Sequence, residues 1–156
     1  MAQYLAEGFG NVVYISGEEG HSKTIRDKFV RSNAMSENLF VADIRSFEEI
    51  IREIPQEKFH FIFIDSLDNM RIDAEKLKQL REHYKNSALI TISQATKDGK
   101  MRGSNEISHD SDIVVMVSDG VAQTEKNRFL EKGKTFEIFS STTAEAGMKY
   151  RNTIKG

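Results

Sequence analysis

Three carboxylates stand where apolar runs end. Asn11-Val-Val-Tyr-Ile-Ser16 opens onto Gly17-Glu18-Glu19-Gly20, and Phe59-His-Phe-Ile-Phe-Ile64 is closed by Asp65 and Ser66. An aspartate held at the end of a buried strand suits a hard cation such as Mg²⁺, which takes oxygen ligands and keeps several waters. Glu18 and Glu19 near such a cation can polarise a water for attack on a phosphoryl group, where catalysis is mostly positioning and charge stabilisation. Plainer readings stand beside these. An aspartate after an apolar strand serves as often as a turn former or a helix cap. An acidic pair before a helix favours the helix dipole without doing chemistry.

A third apolar run, Leu89-Ile-Thr-Ile-Ser93, ends at Gln94, whose amide can sense a γ-phosphate or simply cap the loop that follows. Lys97, Lys100 and Arg102 then lie beside Gly99 and Gly103. Basic side chains among glycines suit phosphate contact, and equally a solvated surface loop.

Alternating strands and helices must position these residues. Tyr4, Leu5 and Phe9 repeat at helical spacing and Gly8 and Gly10 can stop that helix. The pattern predicts a strand over 11–16, a helix over 22–35, a short strand over 39–42 and strands at 59–64, 89–93 and 113–117. Ser46-Phe-Glu-Glu49 has the form of a capping box, opening a helix that Pro55 ends. Asp73 can cap a helix reaching Tyr84. Residues 95–110 read as a polar loop with one helical turn, and 122–129 with 134–139 as a hairpin around Lys132-Gly133. The tail from Ser140 lacks periodicity. Strands that are apolar throughout are buried on both faces, which implies a mostly parallel sheet between helical layers. Ligands of such sheets bind beyond the carboxyl ends of the strands, where Glu18, Glu19, Asp65, Ser66 and Gln94 collect.

The 156 residues fit one domain, with 38% hydrophobic content to fill a core. With no cysteine the chain has no disulfide, thiol nucleophile or thiolate-ligated metal. Lys+Arg 22 against Asp+Glu 24 gives a net charge of −2, so no global basic field collects nucleic acid. No run approaches the roughly 20 apolar residues that span a bilayer. Met1 to Gly10 lacks the basic flank and apolar run of a signal peptide. A cytoplasmic protein is expected.

Taken in order, the motifs resemble a known family. Tyr14-Ile-Ser-Gly-Glu-Glu19, Ile62-Phe-Ile-Asp65-Ser66, Ile92-Ser-Gln94-Ala-Thr-Lys97-Asp-Gly99, Arg102-Gly103, His109-Asp110-Ser-Asp112-Ile-Val-Val and Lys126-Asn127-Arg128-Phe129 follow one another. That succession is similar to the RecA-type ATPase core, in particular to the RadA/Sms branch of DNA repair and recombination proteins, over roughly Asn11 to Phe139. The resemblance implies a RecA-like three-layer α/β sandwich over 1–139, ending in a β-hairpin, with 140–156 as a tail. It implies that Asp65 holds Mg²⁺ as a Walker B residue beside Ser66, that Glu18 and Glu19 activate water, and that Gln94 sits at the sensor position. Lys126 and Arg128 match a KNRF motif that reaches nucleotide or DNA, and Lys97, Lys100 and Arg102 fall where RecA-like proteins contact DNA. Leu130 stands where the family has glycine.

The sequence contains no G-x-x-x-x-G-K-[ST] phosphate loop, whose backbone N–H groups and lysine supply most contacts to ATP phosphates. Residues 2–8 look like the end of the helix that follows that loop. The family's zinc element and Lon-like domain are absent as well. The expectation is therefore a fragment or degenerate member of the DNA-dependent ATPases, with weak or absent ATP binding and no hydrolysis by this chain alone. Strand edges left open by the missing first strand are expected to be covered by a shifted register, by the tail or by a second copy. Single-stranded DNA is a further candidate partner. Two other classes remain: a non-catalytic DNA- or protein-binding oligomerisation module, and an unrelated sheet-and-helix domain that binds another phosphorylated ligand.

Overall fold

The structure, a computed structural model, describes residues 1–17, 27, 36–94 and 105–138. The helix expected over 22–35 and the tail from Ser140 lie almost wholly outside those residues. The chain divides into two compact units, Met1–Ile107 and Ser108–Gly156.

In the first unit, four strands form a parallel sheet in the order β2-β1-β3-β4. They are β1 (Val12–Ser16), β2 (Leu39–Asp43), β3 (Phe61–Asp65) and β4 (Ala88–Ile92). Their continuous apolar composition has the expected cause, because the sheet buries residues on both faces. Val13, Ile15, Ile62 and Ile64 point to one side, where they join Ile50, Ile54, Leu77, Leu80 and Tyr84 in the larger core cluster. Val12 and Phe63 point to the other side and meet Ala2 and Ala6 of α1 (Ala2–Gly8). Small alanines let that short helix lie close against the strands.

The larger cluster is covered by α2 (Phe47–Glu53), α3 (Leu67–Met70) and α4 (Ala74–His83). Both expected caps form. Ser46 Oγ accepts from the Glu49 N–H at 3.2 Å, and Asp73 Oδ1 accepts from the Lys76 N–H at 2.9 Å. Glu49 reaches back to the Arg45 N–H at 2.9 Å, one residue before the N-cap. At the other end of α2, the buried Tyr84 hydroxyl lies 2.8 Å from the Ile50 carbonyl and 3.1 Å from that of Ile54. These carbonyls otherwise sit at a helix end beneath the core. A fifth helix, α5 (Asn105–Asp110), is the helical turn expected within 95–110 and buries Ile107.

The second unit holds a three-stranded antiparallel sheet, β5 (Ile113–Ser118), β6 (Val121–Asn127) and β7 (Thr135–Glu137), in that order. The β6–β7 hairpin around Gly133 agrees with the sequence. Strand β5 does not take the place expected for a last strand of the parallel core; among the described residues it pairs with β6. The reason is a two-residue turn at Asp119-Gly120, with φ of 51° and 79°, closed by the Ser118–Val121 pair. Positive φ at both central positions matches the right-handed twist of a hairpin, and Asp-Gly is a preferred sequence for it.

Candidate functional site

The carboxyl ends of the parallel strands lie in register. Ser16 pairs with Asp43 on one side and Asp65 on the other, and Asp65 pairs with Ile92. A continuous row Asp43–Ser16–Asp65–Ile92 therefore crosses the end of the sheet, as a parallel ladder requires when its strands end together. Side chains two residues apart share a face, so Tyr14 and Ser16 stand on the same side as Phe63 and Asp65. The Tyr14 ring stacks on Phe63 with centroids 5.9 Å apart and planes at 22°. Its hydroxyl then reaches beyond the ring and donates to Asp65 Oδ2.

Beside this half-buried carboxylate sits Ser66, only 2% exposed, whose Oγ has no hydrogen-bond partner among the described residues. The Asp65–Ser66 peptide bond is cis. Chain packing around the pair is tight. The Gly17 N–H lies 2.6 Å from the Asp65 carbonyl, and a Cβ on Gly17 would fall 2.7 Å from Met70 Cε. A side chain at position 17 would have to displace the Met70 side chain of α3.

Gln94 joins the same end of the sheet through Asp68, whose Oδ2 accepts from the Gln94 N–H at 3.1 Å. The structure thus brings together Asp65, Ser66 and the Gln94 backbone. Glu18, Glu19, Lys97, Lys100 and Arg102 lie outside the described residues. Asp65 and Ser66 carry carboxylate and hydroxyl oxygens, the hard donor type that Mg²⁺ takes. Among the described residues no three His, Cys, Asp or Glu side chains gather as a metal cluster.

Lys126 and Arg128 belong to the second unit and serve it internally. Lys126 Nζ donates to the Ser108 carbonyl at 3.3 Å and to that of His109, in the last turn of α5. A cation there meets the negative end of the helix and satisfies carbonyls that lack intrahelical partners. Arg128 pairs with Asp112 at 2.8 Å. The Asn127 side chain accepts from the N–H groups of Phe129 at 2.9 Å and Leu130 at 3.1 Å, fixing a turn that leaves these two residues 72% and 66% exposed. The turn therefore forms with leucine at the position where the resembled family has glycine.

Sequence reasoning missed Tyr14 as the partner of Asp65 and Asp68 as the anchor of Gln94. The signal for Tyr14 was its spacing of two from Ser16, which becomes informative only once β1 and β3 are known to pair. No protein-family model matches the chain, and no curated protein matches it. No helix among the described residues is long and apolar enough to cross a membrane.

Proposed function

We propose that the chain is a fragment or degenerate member of the RadA/RecA-like DNA-dependent ATPases, with a RecA-like core that keeps a cation-binding strand end and does not hydrolyse ATP by itself. The observation that carries this reading is Asp65 at the carboxyl end of a buried parallel strand, oriented by Tyr14 and flanked by a Ser66 hydroxyl with no hydrogen-bond partner among the described residues. In the proposal Asp65 binds Mg²⁺ through water and direct contact, with Ser66 beside it. Glu18, Glu19 and Gln94 belong to the same catalytic remnant by their order in the sequence. ATP binds weakly or not at all, because no phosphate loop is present to wrap its phosphates. Self-association and contact with single-stranded DNA through Lys97, Lys100 and Arg102 complete the reading.

Titration of the full chain with Mg²⁺ and ATP, followed by calorimetry, tests it. Mg²⁺ binding that falls in Asp65→Asn supports the proposed cation site. Micromolar ATP affinity with turnover would overturn the claim that this chain alone does not hydrolyse ATP.

A second reading is a non-catalytic interaction module that binds DNA or protein. It is favoured by the turn that holds Phe129 and Leu130 outward in a segment where residues 122–134 carry four basic and two acidic side chains. Aromatic and basic side chains together suit stacking on single-stranded bases. Salt-dependent binding of a single-stranded oligonucleotide that weakens in Phe129→Ala supports this module, and no binding at low salt sinks it.

A further inference from the structure

Strand β4 is an edge strand of the four-stranded parallel sheet. Among the described residues it pairs with β3 alone, in unbroken register from Ala88 to Ile92. Its sequence, Ala-Leu-Ile-Thr-Ile, carries none of the devices that usually protect an edge, having no lysine, no proline and no bulge. The opposite edge strand, β2, carries one charged residue, Asp43. There the Lys58 ammonium lies 4.5 Å from the centre of the Phe40 ring, and Arg45 pairs with Asp43 at 3.5 Å.

Backbone direction identifies what β4 presents. The Ala88 N–H donates to the His60 carbonyl at 2.8 Å, so residue 88 turns its amide groups toward β3. Direction alternates along a strand, so Ile90 and Ile92 face β3 as well. Leu89 and Thr91 turn their N–H and C=O groups to the open edge.

We infer that β4 is a self-pairing edge, and that two copies of this chain join β4 to β4 antiparallel about a two-fold axis through Ile90. Closed symmetry demands antiparallel pairing of identical strands. An axis at Ile90 is the one that matches all five residues, placing Ile90 opposite its own counterpart, Leu89 opposite Thr91 and Ala88 opposite Ile92. The hydrogen-bonding positions then coincide: each Leu89–Thr91 pair exchanges two backbone hydrogen bonds, and the Ile90 pair is the closer, non-hydrogen-bonded kind. No charge sits on the strand, so identical edges meet without like-charge repulsion. A second copy fits this edge because the edge is its own complement in charge and in hydrogen-bond pattern. A five-residue edge buries far less than the roughly 1,200–2,000 Å² of a standard stable interface, so the dimer depends on concentration. The inference gives a surface to the self-association in the proposed function and uses none of its nucleotide chemistry.

Sedimentation of the full chain over a concentration series should show a reversible monomer–dimer equilibrium. Thr91→Pro removes an outward N–H and leaves the bonds to β3 in place, as edge prolines do. It should keep the wild-type far-UV circular dichroism and raise the dimer dissociation constant by about tenfold or more. The chain has no cysteine of its own, so an introduced one reports on its own position. Ile90→Cys should form an interchain disulfide on mild oxidation. Thr91→Cys should not, since its counterpart lies diagonally about 7–8 Å away, beyond bridging reach. A single monomeric mass across the series, species larger than a dimer, or equal cross-linking at both positions would overturn the inference. Mg²⁺ and oligonucleotide titrations repeated on folded, monomeric Thr91→Pro separate failure of this edge from failure of the proposed function.

Discussion

The hydroxyl of Tyr14 is bonded to Oδ2 of Asp65 across neighbouring parallel strands. The contact joins three levels of the structure. Register places Tyr14 opposite Phe63 and Ser16 opposite Asp65, stacking on Phe63 aims the phenol along the strand, and the hydroxyl then occupies one oxygen of the carboxylate. In the proposed function, the other oxygen is the one that meets the cation or its waters.

Tyr14→Phe removes that donor while preserving the stacked ring. The expected cost is about 1.5–3 kcal/mol, the range for a hydrogen bond to a charged group. Chemical denaturation measures it. In the same variant Mg²⁺ affinity should change because Asp65 is free to rotate, whereas a variant of an unrelated exposed tyrosine, Tyr4→Phe, should leave it unchanged.

Tyr84 gives a prediction with a sign. Burial pushes its phenol up to about 12 from 10.0, and the hydroxyl donates to the α2 carbonyls only while protonated. The folded state therefore holds the proton more tightly than the unfolded chain. This contribution is complete below about pH 10 and is lost as pH rises through about 12, amounting to no more than ~3 kcal/mol. Tyr84→Phe should destabilise the protein at neutral pH by about 1–3 kcal/mol. The difference between wild type and variant should shrink from pH 10 upward in denaturation curves, and a constant difference would contradict the assignment.

Much of the first unit is legible in the sequence because its signals are local. Apolar runs at 11–16, 59–64 and 89–93 announce buried strands, and Ser46 and Asp73 announce helix starts through hydrogen bonds spanning three residues. What escaped has two causes. Some signals are short: Leu67–Met70 is a single turn, too brief for a helical period, and Asp119-Gly120 is a two-residue turn whose consequence is the pairing of β5 with β6. Others are non-local. The bond between Tyr14 and Asp65 spans a separation of 51 residues and depends on register, and the Gln94 link to Asp68 depends on where β4 ends beside β3. Strand-end chemistry places Asp65 and Ser66 at the sheet edge from sequence alone, whereas the partners of Lys126 and Arg128, two carbonyls and an aspartate on other elements, are not readable from the motif.

The caps of α2 and α4 should behave alike. Ser46→Ala and Asp73→Ala each leave a first-turn N–H without its side-chain acceptor, at a cost of about 1 kcal/mol apiece. Ser46→Asp should retain the acceptor and most of the stability. Thermal unfolding of the three variants checks the ranking, and an Ala variant as stable as wild type would exclude a capping role at that position.

Lys126 and Arg128 should separate in their effects even though both are basic residues of one motif. Lys126 holds two carbonyls in the last turn of α5, so Lys126→Ala leaves those groups to water and removes a favourable charge at the helix end, about 0.5–1 kcal/mol. Arg128 and Asp112 form a pair whose side chains are both more than half exposed, and such pairs contribute about 0–1 kcal/mol, mostly screened by salt. Hydrogen exchange should therefore show faster opening of the α5 amides in Lys126→Ala and little change in Arg128→Ala. If oligonucleotide binding falls in Arg128→Ala while α5 stays protected, Arg128 contributes to the ligand surface. If binding falls only in Lys126→Ala together with α5 protection, the loss follows from the helix end, and direct contact by Lys126 is excluded as its cause.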